Sequence, residues 1–403
     1  MRRWYLAASL AWCATALAVK PFFAYVDFGA FYSAALDKIV TGSPLDLYGI
    51  AARPPDSGLA IPLGNPPVWF FYLAPFYWLG RALGLADFHR QTGMSLGQAW
   101  MLLASLPLDL LLCRTVLRLA EGSRRIPEPG RLALYLCLLS SPLLWLSSIR
   151  FQHNEAAMVL MVLLAVAASE RSRPTAAGVA WGLALGLKTT ALVPALVWLG
   201  WGLRRGRLRA TVITAAAGAA VFAGPLIPYA VFRREHLAYA LLEFESLRPV
   251  GGYSLWKLFA RSEGAASMSH VVILLLAFGT GLILARRPEK TFLAVGGAWG
   301  LVLGQVALLL LAKAIYIWYA LGLSAFLYLA VARRQRPQAI LPVVPLGAVL
   351  IVWGLQGGEW VGSAASWSVQ VWSAVWAAFL LGIAAYAVAG LLGERQPDAL
   401  SRP

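Results

Sequence analysis

Long apolar runs recur along nearly the whole of this chain, and nothing else in it constrains the fold as strongly. The first runs from Trp4 to Ala18, and comparable runs follow at intervals to the C-terminal region. About 20 apolar residues carry a helix across the ~30 Å hydrocarbon core of a bilayer. Of the 403 residues, 60% are hydrophobic and 13% charged. A water-soluble fold has no means of burying so much apolar surface, so lipid is the solvent for much of it. Inside lipid the backbone satisfies its own hydrogen bonds, which favours helices and predicts an all-α polytopic protein. The 17 Trp and 14 Tyr suit the aromatic belts at membrane interfaces.

The net charge of +16 does not point to nucleic acid, because the basic residues form short clusters between apolar runs rather than one face of a domain. Cys13, Cys113 and Cys137 all lie inside apolar runs and offer neither a disulfide framework nor a metal-ligand spacing. Short cytoplasmic loops collect Lys and Arg. Placing Arg2-Arg3, Arg114 through Arg131, Arg171 and Arg173, Arg204 through Arg209, Arg286 through Lys290, Arg333 through Arg336 and Arg395 inside gives one path. Spans are expected near 4–20, 95–118, 131–148, 155–169, 175–188, 189–203, 210–231, 269–285, 291–312, 317–332, 339–356 and 367–392. This is one integral membrane domain over residues 1–403, with about twelve spans and both termini cytoplasmic. The first run also has the look of a secretory signal; an uncleaved span fits better, since everything after it is membrane-embedded too. Either way the chain emerges outside by Lys20.

Two segments test that path. If residues 66–84 crossed the membrane, the basic stretch 114–131 would fall outside, so a re-entrant or interfacial helix is expected there, with Pro66, Pro67 and Pro75 suiting a segment packed in protein. Residues 175–203 carry basic clusters at both ends and allow only about fourteen residues per arm, which predicts a short hairpin whose tip near Lys188 opens into a cavity. The long outer segments are then 21–94 and 232–268.

Most of the chemistry-bearing residues fall on the outer side. Phe28, Phe31, Tyr32, Ala35 and Ile39 recur at helical spacing with Asp37 and Lys38 opposite, the pattern of an amphipathic helix lying on the membrane. Thr41-Gly42-Ser43-Pro44 stops it. Asp27 stands at its start, where a carboxylate serves as an N-cap or as a functional group facing a lipid-linked headgroup. Lys188 is the costliest residue: at membrane depth its ammonium needs an interface, an ion pair with Asp109 (the only acid deep inside an expected span) or a bound anion such as phosphate. Arg150-Phe151-Gln152-His153-Asn154-Glu155 forms an outer turn, either capping a helix or lining a site beside Lys188. Arg233, Arg234, Arg248, Lys257 and Arg261 sit in the second outer loop as solvated residues or anion ligands, and Lys313 beside Tyr316, Trp318 and Tyr319 is expected to be an interfacial anchor. Neither a metal-ligand set nor a nucleotide-binding motif stands out, so no cofactor is evident and metal dependence stays open.

Taken in order, these elements resemble glycosyltransferase family 87, bacterial polyprenol-phosphate-mannose-dependent transferases of the GT-C fold. Asp27 through Tyr48 resembles the family's early Asp, helix, Gly and closing Tyr. Asn65-Pro66-Pro67 with Leu73-Ala74-Pro75 is similar to a Tyr-Pro-Pro segment with Asn in place of Tyr. Phe151-Gln152-His153-Asn154 resembles a Gly-Gln-x-Asn turn with Phe for Gly, and Gly182 through Lys188 a Gly-rich stretch ending in Lys, followed by Thr189 where Pro is common. Gly252-Tyr253-Ser254-Leu255 is similar to an Asn-Gln-Ser-Leu element without its amides.

The resemblance implies that the first outer loop supplies a catalytic Asp, matched by Asp27, acting as general base on the acceptor hydroxyl while polyprenyl phosphate leaves. It further implies donor-phosphate contacts from Lys188, Arg150, Arg248 and Lys257, and substrate contacts from Tyr32, Tyr48, Asn65, Gln152, His153 and Asn154. The expected partners are a polyprenyl-phosphate-linked sugar, a lipid or glycan acceptor and membrane lipids; the expected place is the bacterial inner membrane with the site outside. A secondary transporter or flippase is the rival reading, and it would show paired repeats with broken helices at the midplane of both halves.

Overall fold

A computed structural model gives the fold of residues 2–25, 28–49, 51–52, 61–121, 126–203, 206–244, 250–252, 254–259, 263–333 and 367–393. It is overwhelmingly helical, the strands being two-residue pairs. The chain packs as two compact units: Met1–Ala165, Gly178–Ala191 and Ala216–Arg248 form one, and Val166–Ala177, Leu192–Ala215 and Pro249–Pro403 the other.

The first unit is built on α1 (Arg2–Val19), α2 (Ser33–Val40), α3 (Val68–Ala82), α4 (Leu96–Ala120) and α5 (Glu128–Leu139). The apolar residues of α1 meet α4 through Ala16, Leu102 and Leu106, joined by Ile149 and flanked by Trp12, Cys13 and Trp145. Ser9 Oγ and Tyr135 Oη, 2.8 Å apart, tie α1 to α5. Residues 66–84 indeed carry a helix, α3, with Pro75 inside it. It packs against α2 and α4, held by Tyr72 Oη donating to the Ala104 carbonyl at 2.7 Å and Trp100 Nε1 to the Phe76 carbonyl at 2.9 Å.

The first-loop helix departs from expectation. It opens as a π-helical turn, Phe28–Tyr32, and is α-helical only in α2. Phe28, Tyr32 and Ala35 are buried, and Tyr32 meets Phe70 of α3 edge-on at 5.2 Å. Its apolar face is therefore covered by protein, because α3 offers a closer aromatic surface than lipid does. Gly42 ends the helix at φ +84°, a conformation that favours glycine.

Four further helices follow in the chain: α6 (Glu155–Glu170), α7 (Pro174–Leu187), α8 (Leu192–Gly202) and α9 (Leu208–Ala223). The second unit adds α10 (Glu263–Ala285), α11 (Gly297–Leu311), α12 (Ala320–Ala332) and α13 (Trp367–Gly393). Within it, α8 lies along α10, and α11 packs on α8, α10, α12 and α13. The span expected from 291 begins only at Gly297, after a turn in which Gly296 takes φ +85°.

Among the described residues, six segments are long and apolar enough to cross a membrane: Arg3–Phe22, Leu96–Ala120, Glu128–Arg150, Leu208–Phe232, Met268–Ala285 and Ser373–Leu392. Pro174–Leu187, Thr189–Gly202, Gly297–Leu311 and Ala320–Ala332 are apolar but shorter. The span expected at 339–356 lies outside the described residues. Leu10, Val212, Leu275 and Leu381 stand exposed on the long segments. Apolar surface of that extent belongs in lipid, and this is a membrane protein.

Candidate active site

One group of buried polar residues of the first unit gathers where α7 ends. Its Gly-rich sequence lets neighbours approach: a Cβ on Gly182 would meet the Gly218 carbonyl oxygen at 2.5 Å, and one on Gly186 would meet Val68 at 2.7 Å. These glycines serve close packing. The helix stops at Leu187, and the chain makes one 3₁₀ turn, Thr189–Ala191, before α8 begins. Lys188 occupies the break and is buried.

Its ammonium pairs with the Glu155 carboxylate, itself almost wholly buried. The expected alternative, Asp109, instead accepts a hydrogen bond from Ser148 Oγ at 2.8 Å. Glu155 is the partner because it opens α6 immediately after the 150–154 turn, and that turn is fastened to the end of α7 by Asn154 Nδ2 donating to the Leu187 carbonyl. The turn is held from the other side by Gln152 Nε2, which donates to the Gln98 carbonyl at 2.6 Å, and by His153 N, which donates to the Ser147 carbonyl at 2.9 Å.

Gln152 sits at φ +52°, in the left-handed region that a non-glycine residue adopts at a cost of about 1–2 kcal/mol. Phe151 has an ordinary φ of −103°. The position therefore has no steric need for glycine, and Phe151 uses it to pack on Tyr25 with ring centroids 4.7 Å apart.

A hydrogen-bonded path leads from this turn to the first loop. Tyr32 Oη lies 3.3 Å from His153 Nδ1, Asn65 Nδ2 donates to Tyr32 Oη at 3.3 Å, and Tyr48 Oη donates to the Asn65 carbonyl at 3.3 Å. Burial, and after it the charges of Lys188 and Lys20, hold the His153 imidazole well below its usual pKa, so it is neutral. Burial also raises the Tyr48 phenol, which stays protonated. Among the described residues, Gln152 Oε1, Asn154 Oδ1 and Glu155 Oε2 are buried without a hydrogen-bond donor. An acceptor left so costs about 1–3 kcal/mol. Unfilled acceptor oxygens on the turn that carries Glu155 to a buried ammonium are chemistry suited to hydroxyl groups and an anion together.

The structure thus brings together Tyr32, Tyr48, Asn65, Gln152, His153, Asn154 and Lys188, to which sequence reasoning had not joined Glu155 as a partner. Arg150 lies at the start of the turn, its guanidinium 5.1 Å from the Phe23 ring and 5.8 Å from that of Phe151. Asp27 and Arg248 lie outside the described residues, as does the side chain of Lys257. The Gly252–Leu255 element is placed in the second unit: Gly251 and Gly252 pair with Ala314 and Ile315, and Ser254 Oγ donates to the Ala312 carbonyl at 2.8 Å. Lys313, expected at an interface, is buried beside that pairing.

Asp37 is no idle residue of a solvated face. It accepts from Tyr77 Oη at 2.7 Å and Arg81 Nη1 at 2.8 Å, and His89 Nε2 lies 2.8 Å away, so it anchors α2 to α3 and the following loop. A cleft of about 570 Å³ opens beside it, lined by Asp37, Thr41, Tyr77, Arg81 and His89; none of the residues around Lys188 lines it.

With that geometry in view, the sequence model of glycosyltransferase family 87 matches residues 63–312, well over half of the chain. The chain belongs to glycosyltransferase family 87. No curated protein matches it. The matched stretch contains Asn65, the 150–155 turn, Lys188, Arg248 and Lys257, and begins after the first-loop helix that carries Tyr32 and Tyr48. As a member of this family the protein is a glycosyltransferase, and it uses a sugar donor and an acceptor.

Proposed function

We propose that this family-87 enzyme moves a hexose, mannose first among them, from a polyprenyl-phosphate donor to a lipid or glycan acceptor, with inversion. The reaction takes place on the extracytoplasmic face of the bacterial inner membrane, in a GT-C architecture of about twelve spans with both termini inside. One observation carries most of the reading: a buried ammonium, Lys188, pairs with Glu155, and the turn that brings Glu155 to it carries three buried oxygens, Gln152 Oε1, Asn154 Oδ1 and Glu155 Oε2, that have no donor among the described residues. Sugar hydroxyls supply donors, and a phosphate supplies the anion.

In this reading Asp27 takes the proton from the acceptor hydroxyl. The polyprenyl phosphate departs without acid help, being a good leaving group, and cations offset the charge building on it. Lys188 is the first of those cations; Arg150, Arg248 and Lys257 are the others. Tyr32, Tyr48, Asn65, Gln152, His153 and Asn154 contact the substrates. A single base and an ionised leaving group distinguish this from hydrolysis by two flanking carboxylates.

The test incubates membranes carrying the enzyme with labelled polyprenyl-phosphate mannose and extracts glycolipid. Labelled product of inverted anomeric configuration is expected. Asp27→Asn should keep fold and donor binding but lower turnover by ~10²–10⁴-fold, since Asn caps a helix as well as Asp yet takes no proton. Near wild-type transfer by that variant removes Asp27 as the base. Transfer from a nucleotide sugar, with none from polyprenyl phosphates, removes the donor class.

A further inference from the structure

Lys20 is fully buried by protein, with no exposed surface at all, although it stands just after α1 near the end of the first membrane segment, where a lysine ordinarily reaches for water. Its Nζ makes one long hydrogen bond, 3.4 Å, to the Arg150 carbonyl. Among the described residues no carboxylate lies within ion-pair distance of either Lys20 or Arg150, and both belong to the first unit. Arg150 is steadied by the rings of Phe23 and Phe151, and none of its N–H groups donates to a protein acceptor among the described residues. The Lys20 amine, wholly desolvated, and the Arg150 guanidinium thus act on each other with no carboxylate to neutralise them among the described residues. Burial without a counter-charge is among the costliest arrangements a side chain can take, and a second cation nearby adds to it. Lys188, by contrast, already has Glu155.

We propose that Lys20 and Arg150 form an anion seat that takes the phosphate group of a membrane-anchored lipid. An ammonium gives a point charge and a guanidinium a planar fork of donors, a pairing suited to phosphate oxygens. At Lys188 an incoming phosphate competes with Glu155; at Lys20 and Arg150 it meets no competing carboxylate among the described residues. The neutral His153 imidazole feels the charges of both Lys188 and Lys20, so the seat and the polar cluster share one neighbourhood. The inference rests on the transferase reading only in naming polyprenyl phosphate as the lipid; the seat itself follows from the uncompensated charges. The same chemistry fits a bulk anionic phospholipid.

The experiment measures binding without any sugar, so that it stands or falls apart from transfer. Purified full-length protein in neutral detergent is titrated with polyprenyl phosphate, with phosphatidylglycerol and with inorganic phosphate, and its ligand-free thermal midpoint is recorded. Lys20→Met, Lys20→Gln and Arg150→Met are each expected to weaken polyprenyl phosphate binding tenfold or more. The two Lys20 variants should leave the midpoint unchanged or higher, because a strained charge has been removed. Equal loss of phosphatidylglycerol binding supports the seat and makes bulk phospholipid its source. Unchanged lipid binding in all three variants overturns the proposal. A lowered midpoint in both Lys20 variants with binding intact overturns it also, and makes Lys20 a structural residue.

Discussion

Lys188 and Glu155 are two opposite charges removed from water together, and the protein keeps them only because each neutralises the other. Removing one partner strands its mate. Glu155→Gln leaves an ammonium at the break between α7 and α8, at a cost of about 3–5 kcal/mol. Lys188→Met leaves a carboxylate that escapes part of the cost by taking up a proton. The double variant should therefore be clearly less destabilised than the sum of the singles, a coupling of ~1 kcal/mol or more. Thermal midpoints of the four proteins in one detergent measure it; strict additivity would mean that the pair does not form. The cost of Lys188 was legible in the sequence, since an ammonium among apolar residues must find a partner. Which partner was not legible. Asp109 was the only acid deep inside an expected span, but it bonds Ser148, and the 33-residue separation of Glu155 from Lys188 is closed only by the folding of the 150–154 turn onto Leu187.

At the scale of elements, hydropathy located the helices well because lipid rewards the same apolar runs that sequence displays. Arg2–Val19, Leu96–Ala120 and Trp367–Gly393 lie close to the expected spans. Less legible were the surfaces on which helices meet. The first-loop helix reads as a lipid-facing amphipath by its spacing, yet its aromatic face is buried on α3, a neighbour that the periodicity of one helix does not reveal. Likewise α8 and α10 touch backbone to backbone: a Cβ on Gly281 would lie 2.3 Å from the Val197 carbonyl oxygen, and one on Gly200 would lie 2.5 Å from that of Phe278. Gly281→Val must separate two helices, which should cost about 1–3 kcal/mol and lower the thermal midpoint. Gly279, two residues away, has nothing within 4 Å of its absent Cβ. Gly279→Ala should leave the midpoint unchanged or raise it, since alanine favours a helix by about 1 kcal/mol over glycine. Equal effects at the two positions would count against the close approach of α8 to α10.

For the whole molecule, orientation in the membrane turns on α3, Val68–Ala82. It has 15 residues and Pro75 within, and is not among the segments long and apolar enough to cross. If α3 stays on one side, the chain leaves the cytoplasm through α1 and keeps residues up to Ser95 outside. It then crosses at Leu96–Ala120, at Glu128–Arg150 and again through α6, so that Gln91 is outside and Arg171 inside. If α3 crosses, both assignments reverse. Gln91 and Arg171 are exposed at the protein surface, which makes them fit places for a reporter. The three native cysteines, Cys13, Cys113 and Cys137, are first replaced by alanine or serine. Gln91→Cys and Arg171→Cys are then introduced one at a time and treated with a membrane-impermeant maleimide, in cells whose outer membrane alone is permeabilised. Gln91→Cys should label at once and Arg171→Cys only after the inner membrane is opened. The positive-inside argument makes the same assignment independently, because Arg171 and Arg173 form a short basic connection between α6 and α7. Labelling in the reverse order would put the polar cluster around Lys188 on the cytoplasmic side, and the outward-facing reaction would fail with it.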